Sequence, residues 1–458
     1  MPHYPKEIFK AYDIRGIVGQ TFTPEIVEAI GQAIGSEARA RHQRAIVIGR
    51  DGRLSGPTLA EALARGILKA GIDVIDIGMV ATPMTYFAAF ELGTHSAVMV
   101  TGSHNPPDYN GLKMVLGGET LAGEAIQALR ERLERNDLSH GQGSLRQEDI
   151  SDRYIERIVS DVKLARPMKI VIDCGNGVPG AFAPKLYRRL GCEVTELYCE
   201  VDGRFPHHHP DPSQPKNLED LIQALAQGDA EIGLAFDGDG DRLGVVTKEG
   251  EIIFPDRQLM LFADDVLSRN PGAKIIFDVK STRKLFDWIR ARGGEPILWK
   301  TGHSFIKAKM KETGALLAGE MSGHIFFKDR WYGFDDGMYA GCRLLEYLSR
   351  QPDVSATLTR LPDTVNTPEL QIRMAEGEHY ALMEKLKTTA RFPGAKEIIT
   401  LDGLRVEYAD GFGLARPSNT TPVIVLRFEA DNEAALKRIQ ADFRRVLLEA
   451  APDLKLPF

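Results

Sequence analysis

Asp237, Asp239 and Asp241 occupy alternate positions in Asp237-Gly238-Asp239-Gly240-Asp241-Arg242, directly after the apolar run Ile232–Phe236. Carboxylates crowded into so short a turn repel one another, and a cation is their natural partner. An oxygen-only donor set suits a hard ion, Mg²⁺ above all. An EF-hand loop is excluded, because Arg242 and Lys248 stand where its glycine and final glutamate would be. Two other readings stay open: an aspartyl-phosphate enzyme with Asp237 as nucleophile, and a solvated acidic turn.

A second candidate is Ser103 in Thr101-Gly102-Ser103-His104-Asn105-Pro106. Small, turn-forming neighbours are expected to hold its hydroxyl exposed, and His104 and Lys113 lie nearby. Such a serine suits a nucleophile or phosphate carrier, although a structural turn is the plainer reading. Asn105 rules out the GxSxG elbow of hydrolases. In Glu320-Met321-Ser322-Gly323-His324 an acceptor, a hydroxyl and an imidazole alternate, a set suited to sugar hydroxyls. Arg416-Pro417-Ser418-Asn419-Thr420, inside the polar connection 413–422, offers a guanidinium, hydroxyls, an amide and backbone N–H groups. That is either a phosphate grip or a plain turn.

Other motifs point away from chemistry. Gly49-Arg50-Asp51-Gly52-Arg53 is neither a GxGxxG nor a P-loop, so nucleotide binding has no support. His207-His208-His209 sits among Pro206, Pro210, Pro212 and Pro215 and reads as a solvated connection or domain contact rather than a metal site.

A weak internal repeat must position these loops. Apolar runs at 45–48, 170–172 and 275–277 each lead into a polar turn and a helix-like stretch, 57–70, 181–190 and 282–292. Gly71, Gly191 and Gly293 end those stretches, a helix C-cap signal. Second runs follow at 74–77, 194–198 and 296–299, and third runs at 97–100, 232–236 and 315–318. Short continuous apolar runs alternating with helices predict buried, largely parallel strands with ligands beyond their carboxyl ends. The tail predicts strands at 370–374, 403–408 and 423–429 and helices at 378–387 and 433–449. The fold class is thus α/β: three topologically similar α/β domains followed by a C-terminal α+β domain. The division falls at 1–149 (the Ser103 loop), 150–252 (the aspartate loop), 253–365 (the Glu320 loop) and 366–458 (the Arg416 loop).

Composition bounds the answer. A chain of 458 residues suggests three or four domains. A net charge of −7 argues against a nucleic-acid partner and leaves room for a local anion pocket. Cys174, Cys192, Cys199 and Cys342 show no CxxC spacing and read as buried thiols in a reducing compartment. No apolar run approaches membrane-spanning length and the N-terminus has no secretory h-region, so a cytoplasmic protein with no membrane partner is expected. A monomer is expected.

Taken jointly and in order, Ser103, Asp237/Asp239/Asp241, Glu320–His324, Arg416–Thr420 and the N-terminal Ala11-Tyr12-Asp13-Ile14-Arg15-Gly16 resemble the α-D-phosphohexomutase family, in its bacterial phosphomannomutase/phosphoglucomutase branch. The resemblance spans the chain and implies a fold of three topologically similar α/β domains with mixed sheets plus a C-terminal α+β domain, arranged around a central cleft. It implies that Ser103 is a phosphoserine, that the three aspartates and Ser103 hold Mg²⁺, and that Glu320 and Ser322 read the sugar O3 and O4 hydroxyls, with Met321, Gly323 and His324 in the same loop. Arg416, Pro417, Ser418, Asn419 and Thr420 would grip the phosphate that is not reacting. Tyr12, Arg15, Arg242 and Lys280 would line the cleft, and His303 and Lys113 are candidates for moving protons. The implied reaction exchanges phosphate between C1 and C6 of hexose 1- and 6-phosphates, with hexose 1,6-bisphosphate as intermediate and activator. A loop reading O3 and O4 barely senses C2, so both glucose and mannose phosphates are expected to react. Phosphoglucosamine mutases, the alternative, more often carry alanine at the position of Gly102 and glutamine at that of Met321.

Overall fold

The computed structural model describes residues 3–458. Four β-sheets follow one another along the chain. The first three share a kernel. In the first, Ala45–Arg50 runs parallel to Asp73–Met79 on one side and Ala97–Val100 on the other, and Tyr109–Leu116 returns antiparallel. The second sets Met168–Asp173 between Cys192–Leu197 and Ile232–Phe236, with Leu243–Thr247 returning antiparallel. The third sets Lys274–Asp278 between Glu295–Trp299 and Leu317–Gly319, with Ile325–Phe327 returning antiparallel.

The central strands are continuously apolar because helices cover both sheet faces. Ile46, Val47 and Ile48 are buried, as are Ile170, Ile172, Ile275 and Ile276. Helices Gly56–Lys69, Ala183–Leu190 and Lys284–Ala291 make the first crossing in each kernel. Gly71, Gly191 and Gly293 follow them with φ of +88°, +105° and +79°, the left-handed turn that ends a helix.

Each sheet's last kernel strand is antiparallel, so the sheets are mixed, as expected; a connection of a few residues permits only a hairpin return. The structure corrects the sequence reading in several places. The third run of the third kernel is displaced to Leu317–Gly319. A single-turn 3₁₀ helix, Val178–Ala181, precedes the Ala183–Leu190 helix. In the tail, the connection expected at 413–422 is strand through its first half, because Gly411–Pro417 pairs residue by residue with Ile424–Ala430. The short strands Val365–Asn366 and Glu397–Ile399 were not foreseen. Cys174, Cys192 and Cys342 are buried, but Cys199 is only half-buried.

Packing separates the tail from the rest. One apolar cluster runs through the first three sheets, from Met99 and Phe87 through Ile172 and Phe236 to Phe277 and Phe327. At its centre Trp331 stacks on Tyr339, ring centroids 4.2 Å apart. The fourth sheet has its own core of Val406, Leu426, Phe428 and Phe443. Its contact with the third unit combines a small apolar patch, Val279 against Phe412 and Leu414, with polar contacts: Arg405 donates to the carbonyls of Val279 and Ser281, and Arg427 to that of Lys280. No helix among the described residues is long and apolar enough to cross a membrane.

Candidate active site

Each kernel places its polar loop at one topological point, the connection from the third parallel strand to the antiparallel return. Residues 101–108, 237–242 and 320–324 all lie there, beyond the carboxyl ends of parallel strands.

The first two loops meet. Ser103 Oγ lies 3.2 Å from Asp239 Oδ1 and 3.5 Å from Asp237 Oδ2. Ser103 is not exposed as expected: it is 2% accessible, because the aspartate loop packs onto it. Gly238 permits that approach, since a Cβ there would fall 2.3 Å from the Ser103 carbonyl oxygen. Asp237, Asp239 and Asp241 are buried, with one carboxylate oxygen of each within 4.8 Å of the others. Lys113 bridges two of them, donating to Asp239 Oδ2 at 2.8 Å and Asp241 Oδ2 at 2.7 Å. The Thr82 hydroxyl also donates to Asp239 Oδ2, at 2.5 Å.

The electrostatics follow from this crowding. Burial, then its two acidic neighbours, push the Asp237 carboxyl well above its ordinary range. Burial opposes ionisation of Asp241, but Lys113 and then His324 outweigh it and hold that carboxyl low. Lys113 is likewise held well above its usual pKa: its burial is overcome by Asp239 and Asp241. Asp241 Oδ1 is buried without a hydrogen-bond partner among the described residues. An orphaned buried oxygen within an all-carboxylate cluster fits a bound hard cation, and the triad is able to hold a metal ion.

A cleft of about 920 Å³ opens over Ser103. Its wall carries Tyr12, Arg15, Lys113, Arg242, Lys280 and His303 together with Glu320, Met321, Ser322, His324, Arg416, Ser418, Asn419 and Thr420. Gly323 and Pro417 do not reach that wall. Gly323 forms the turn of its loop at φ +111°, and Pro417 ends the Gly411–Pro417 strand. The aspartates lie beneath the wall, behind Ser103 and Lys113.

Around the cleft, spare polar atoms mark what a ligand would use. Glu320 Oε1 accepts the Gly302 N–H at 2.5 Å, and Oε2 is buried without a partner among the described residues. That leaves an acceptor for a hydroxyl. Arg416 Nε donates to Asp402 Oδ2 at 3.1 Å, and its buried Nη2 is unpartnered among the same residues. Ser418 Oγ accepts the Thr420 and Thr421 N–H groups at 3.2 and 3.3 Å, curling the loop beside that guanidinium. Lys280 Nζ faces Glu369 Oε2 at 3.3 Å. Arg15 donates to Asn105 Oδ1 at 2.6 Å and pairs with Asp13.

His324 takes the Arg242 Nε–H on Nε2 at 3.1 Å, which puts its own proton on Nδ1, 2.8 Å from Asp335 Oδ2. Burial, reinforced by Lys307, keeps the His303 imidazole well below its usual pKa and therefore neutral. The Tyr12 hydroxyl donates to the Thr301 carbonyl at 3.0 Å and accepts from Asn419 Nδ2 at 2.9 Å, joining the first, third and fourth units across the cleft. Its burial pushes the phenol up to about 12.

Sequence reasoning missed several contributors. Thr82 lies far in sequence from Asp239, Asp335 lies 11 residues from His324 and Asp402 14 from Arg416, and none of them belongs to a motif. Asp51 and Arg53 lie in a loop considered only as a nucleotide motif. In the histidine tract, His209 makes a domain contact, its Nε2 donating to the His104 carbonyl, while His208 Nε2 lies 2.9 Å from Asp173 Oδ2 within its own unit.

The fold and the site together define a four-unit α/β protein with an acidic, metal-competent centre under a polar cleft. Family models match in order: "Phosphoglucomutase/phosphomannomutase, alpha/beta/alpha" domain I at residues 6–140, domain II at 152–250, domain III at 254–365, and the C-terminal domain at 369–446. The chain belongs to the phosphoglucomutase/phosphomannomutase family. It is 62% identical to a phosphoglucomutase of Neisseria meningitidis over all of both chains. It is 58% identical to a phosphomannomutase/phosphoglucomutase of Pseudomonas aeruginosa, over 100% of this chain and 99% of that one. A crystal structure of a phosphoglucomutase/phosphomannomutase family protein from Burkholderia thailandensis superposes with a TM-score of 0.96 at 59% identity, with full coverage of both chains.

Proposed function

We propose that this chain is a phosphomannomutase/phosphoglucomutase that exchanges phosphate between C1 and C6 of glucose and mannose phosphates, as a cytoplasmic monomer, with Ser103 as the phosphate carrier. The observation that carries this reading is the Ser103 hydroxyl set between the cleft and the aspartate triad. Asp237, the competing nucleophile, lies behind Ser103 and off the cleft wall, so the aspartyl-phosphate alternative is not favoured.

In the first half-reaction the P–O bond to phosphoserine 103 breaks as a bond forms from phosphorus to the free hydroxyl oxygen of the sugar phosphate. The hydroxyl proton passes to a base, and the departing Ser103 oxygen takes up a proton to become the serine hydroxyl again. His303 is the neutral candidate on the wall, whereas Lys113 is committed as a cation to Asp239 and Asp241. Asp237, Asp239, Asp241 and Ser103 would hold Mg²⁺, which supplies neutralisation of charge on the phosphoryl oxygens. Arg15, Lys113 and Arg242 add fixed positive charge at that end. The product is hexose 1,6-bisphosphate, which reverses in the cleft and returns its other phosphate to Ser103. Arg416, Ser418, Asn419 and Thr420 grip whichever phosphate is distant, while Glu320 and Ser322 take the O3 and O4 hydroxyls in both orientations. A separately cored C-terminal unit suits the opening this reversal needs.

Arg416→Ala is expected to weaken glucose 1-phosphate binding by about 1.5–3 kcal/mol through the lost charge-assisted contact, read by calorimetry. The reading itself is tested by assaying the purified protein with Mg²⁺ and traces of glucose 1,6-bisphosphate and mannose 1,6-bisphosphate. Turnover of both glucose 1-phosphate and mannose 1-phosphate to the 6-phosphates is expected, within about tenfold of each other, since no named contact reads C2. Conversion of neither sugar would contradict it.

A further inference from the structure

The loop at residues 49–53 carries a side chain that the reaction as described does not use. Arg53 is fully buried and does not reach the cleft wall. Its guanidinium donates to four backbone carbonyls of the nucleophile loop. Nη1 reaches Pro106 at 2.5 Å and Tyr109 at 3.0 Å; Nη2 reaches Ser103 at 3.1 Å and Asn105 at 2.7 Å. Asp51 Oδ2 lies 3.4 Å from Arg53 Nε and accepts the Thr101 hydroxyl at 2.7 Å. Thr101 Oγ1 accepts the Ser103 N–H at 2.8 Å. Both backbone polar groups of Ser103 are therefore fixed by this pair, the carbonyl directly and the N–H through Thr101.

Two further observations point the same way. Ser103 has φ +53°, a left-handed conformation that is unfavourable for a residue with a side chain and persists only where its surroundings impose it. A Cβ on Gly102 would lie 2.4, 2.5 and 2.7 Å from Arg53 Cζ, Nε and Nη1. The guanidinium cannot retreat from a methyl there without releasing the carbonyls it holds. A lysine in its place has one ammonium and no fork with which to span them.

We propose that Arg53, oriented by Asp51, is a positioning residue for phosphoryl transfer: it holds Ser103 in its left-handed turn and so aims Oγ at Asp237 and Asp239, and residue 102 is glycine because Arg53 fills the space of its Cβ. The inference rests on Ser103 being the phosphate carrier. Arg53 acts only through backbone, so its loss misplaces the reacting oxygen without touching the grip on substrate.

The test uses full-length, Mg²⁺-loaded protein: wild type, Arg53→Lys, Arg53→Ala, Gly102→Ala and the double variant Arg53→Ala/Gly102→Ala. Near-ultraviolet circular dichroism reports the fold, and calorimetry the affinity for glucose 1-phosphate. Intact-protein mass reports the rate of phosphate uptake at residue 103 from glucose 1,6-bisphosphate, and steady-state assays give kcat and KM. Arg53→Ala and Gly102→Ala are expected to keep near-native affinity while kcat and phosphate uptake fall together by about 10²-fold, the scale of a 1 Å misplacement. Arg53→Lys should recover part of the loss. Adding Gly102→Ala to Arg53→Ala should lose nothing more, because the methyl then meets no guanidinium.

Wild-type uptake and kcat in a folded single variant, or losses that multiply in the double variant, would overturn the proposal. If Arg53→Ala does not fold, Gly102→Ala and Arg53→Lys decide by the same two readouts. If wild type itself takes no phosphate at residue 103, the carrier assignment falls and this inference with it; normal wild-type uptake with unimpaired variants overturns this inference alone.

Discussion

Replacing Ser103 with alanine is expected to lower turnover by at least ~10⁴-fold, the scale on which removal of a covalent nucleophile acts, with glucose 1-phosphate affinity nearly unchanged. The asymmetry follows from geometry. The groups that would hold the substrate, Glu320, Arg416 and Ser418, hang on the third and fourth units. Ser103 belongs to the first and faces the aspartates. The variant removes one buried oxygen and leaves the Arg53 and Thr101 contacts to its backbone in place. Steady-state kinetics beside calorimetry check the prediction. A variant with substantial turnover would mean that another group carries the phosphate.

Stripping the metal should have the next largest effect. Dialysis against a chelator is expected to reduce kcat by on the order of 10³-fold, the equivalent of several kcal/mol of charge stabilisation, and added Mg²⁺ should restore it. The same treatment should lower the thermal midpoint, since a ligand bound only by the folded state stabilises it and the chelated protein is left with three buried carboxylates, two of them on Lys113 and Asp237 3.8 Å from Arg242 Nε. Here Asp237 is informative, because burial and its neighbours already disfavour its charge when no cation is present. Full activity and an unmoved midpoint in chelator would contradict a metal role for the triad.

Much of this architecture is legible in the sequence because it is local. The apolar runs, the glycines that close the first crossing helices and the polar loop after each third strand follow from neighbouring residues alone, and three copies reinforce one another. The loops carrying Ser103, the aspartates, Glu320 and Arg416 are found for the same reason. Long-range partners are not legible. Nothing near residue 53 announces that its side chain will thread beneath the Ser103 loop, nor anything near Thr82 that it will reach Asp239.

Errors of the sequence reading have a common origin. The Ser103 loop looks like an exposed turn until a second unit, carrying Gly238, closes over it. The Arg416 loop looks long because Gly, Pro and Arg are weak strand formers, yet pairing with Val423–Ala430 carries the strand through Pro417. Pairing and inter-unit packing override local propensity in both cases. The histidine tract shows the converse: its prolines foretell irregular backbone correctly, while its contact with His104 depends on the neighbouring unit.

The most direct measurement follows the phosphate itself. Enzyme primed with ³²P-labelled glucose 1,6-bisphosphate, digested and mapped by mass spectrometry, should carry acid-stable label on the peptide containing Ser103. Unlabelled glucose 1-phosphate should chase that label into sugar phosphate as fast as the enzyme turns over. An acid-labile acyl phosphate at Asp237, or a fully active enzyme that never carries phosphate at Ser103, would contradict the account.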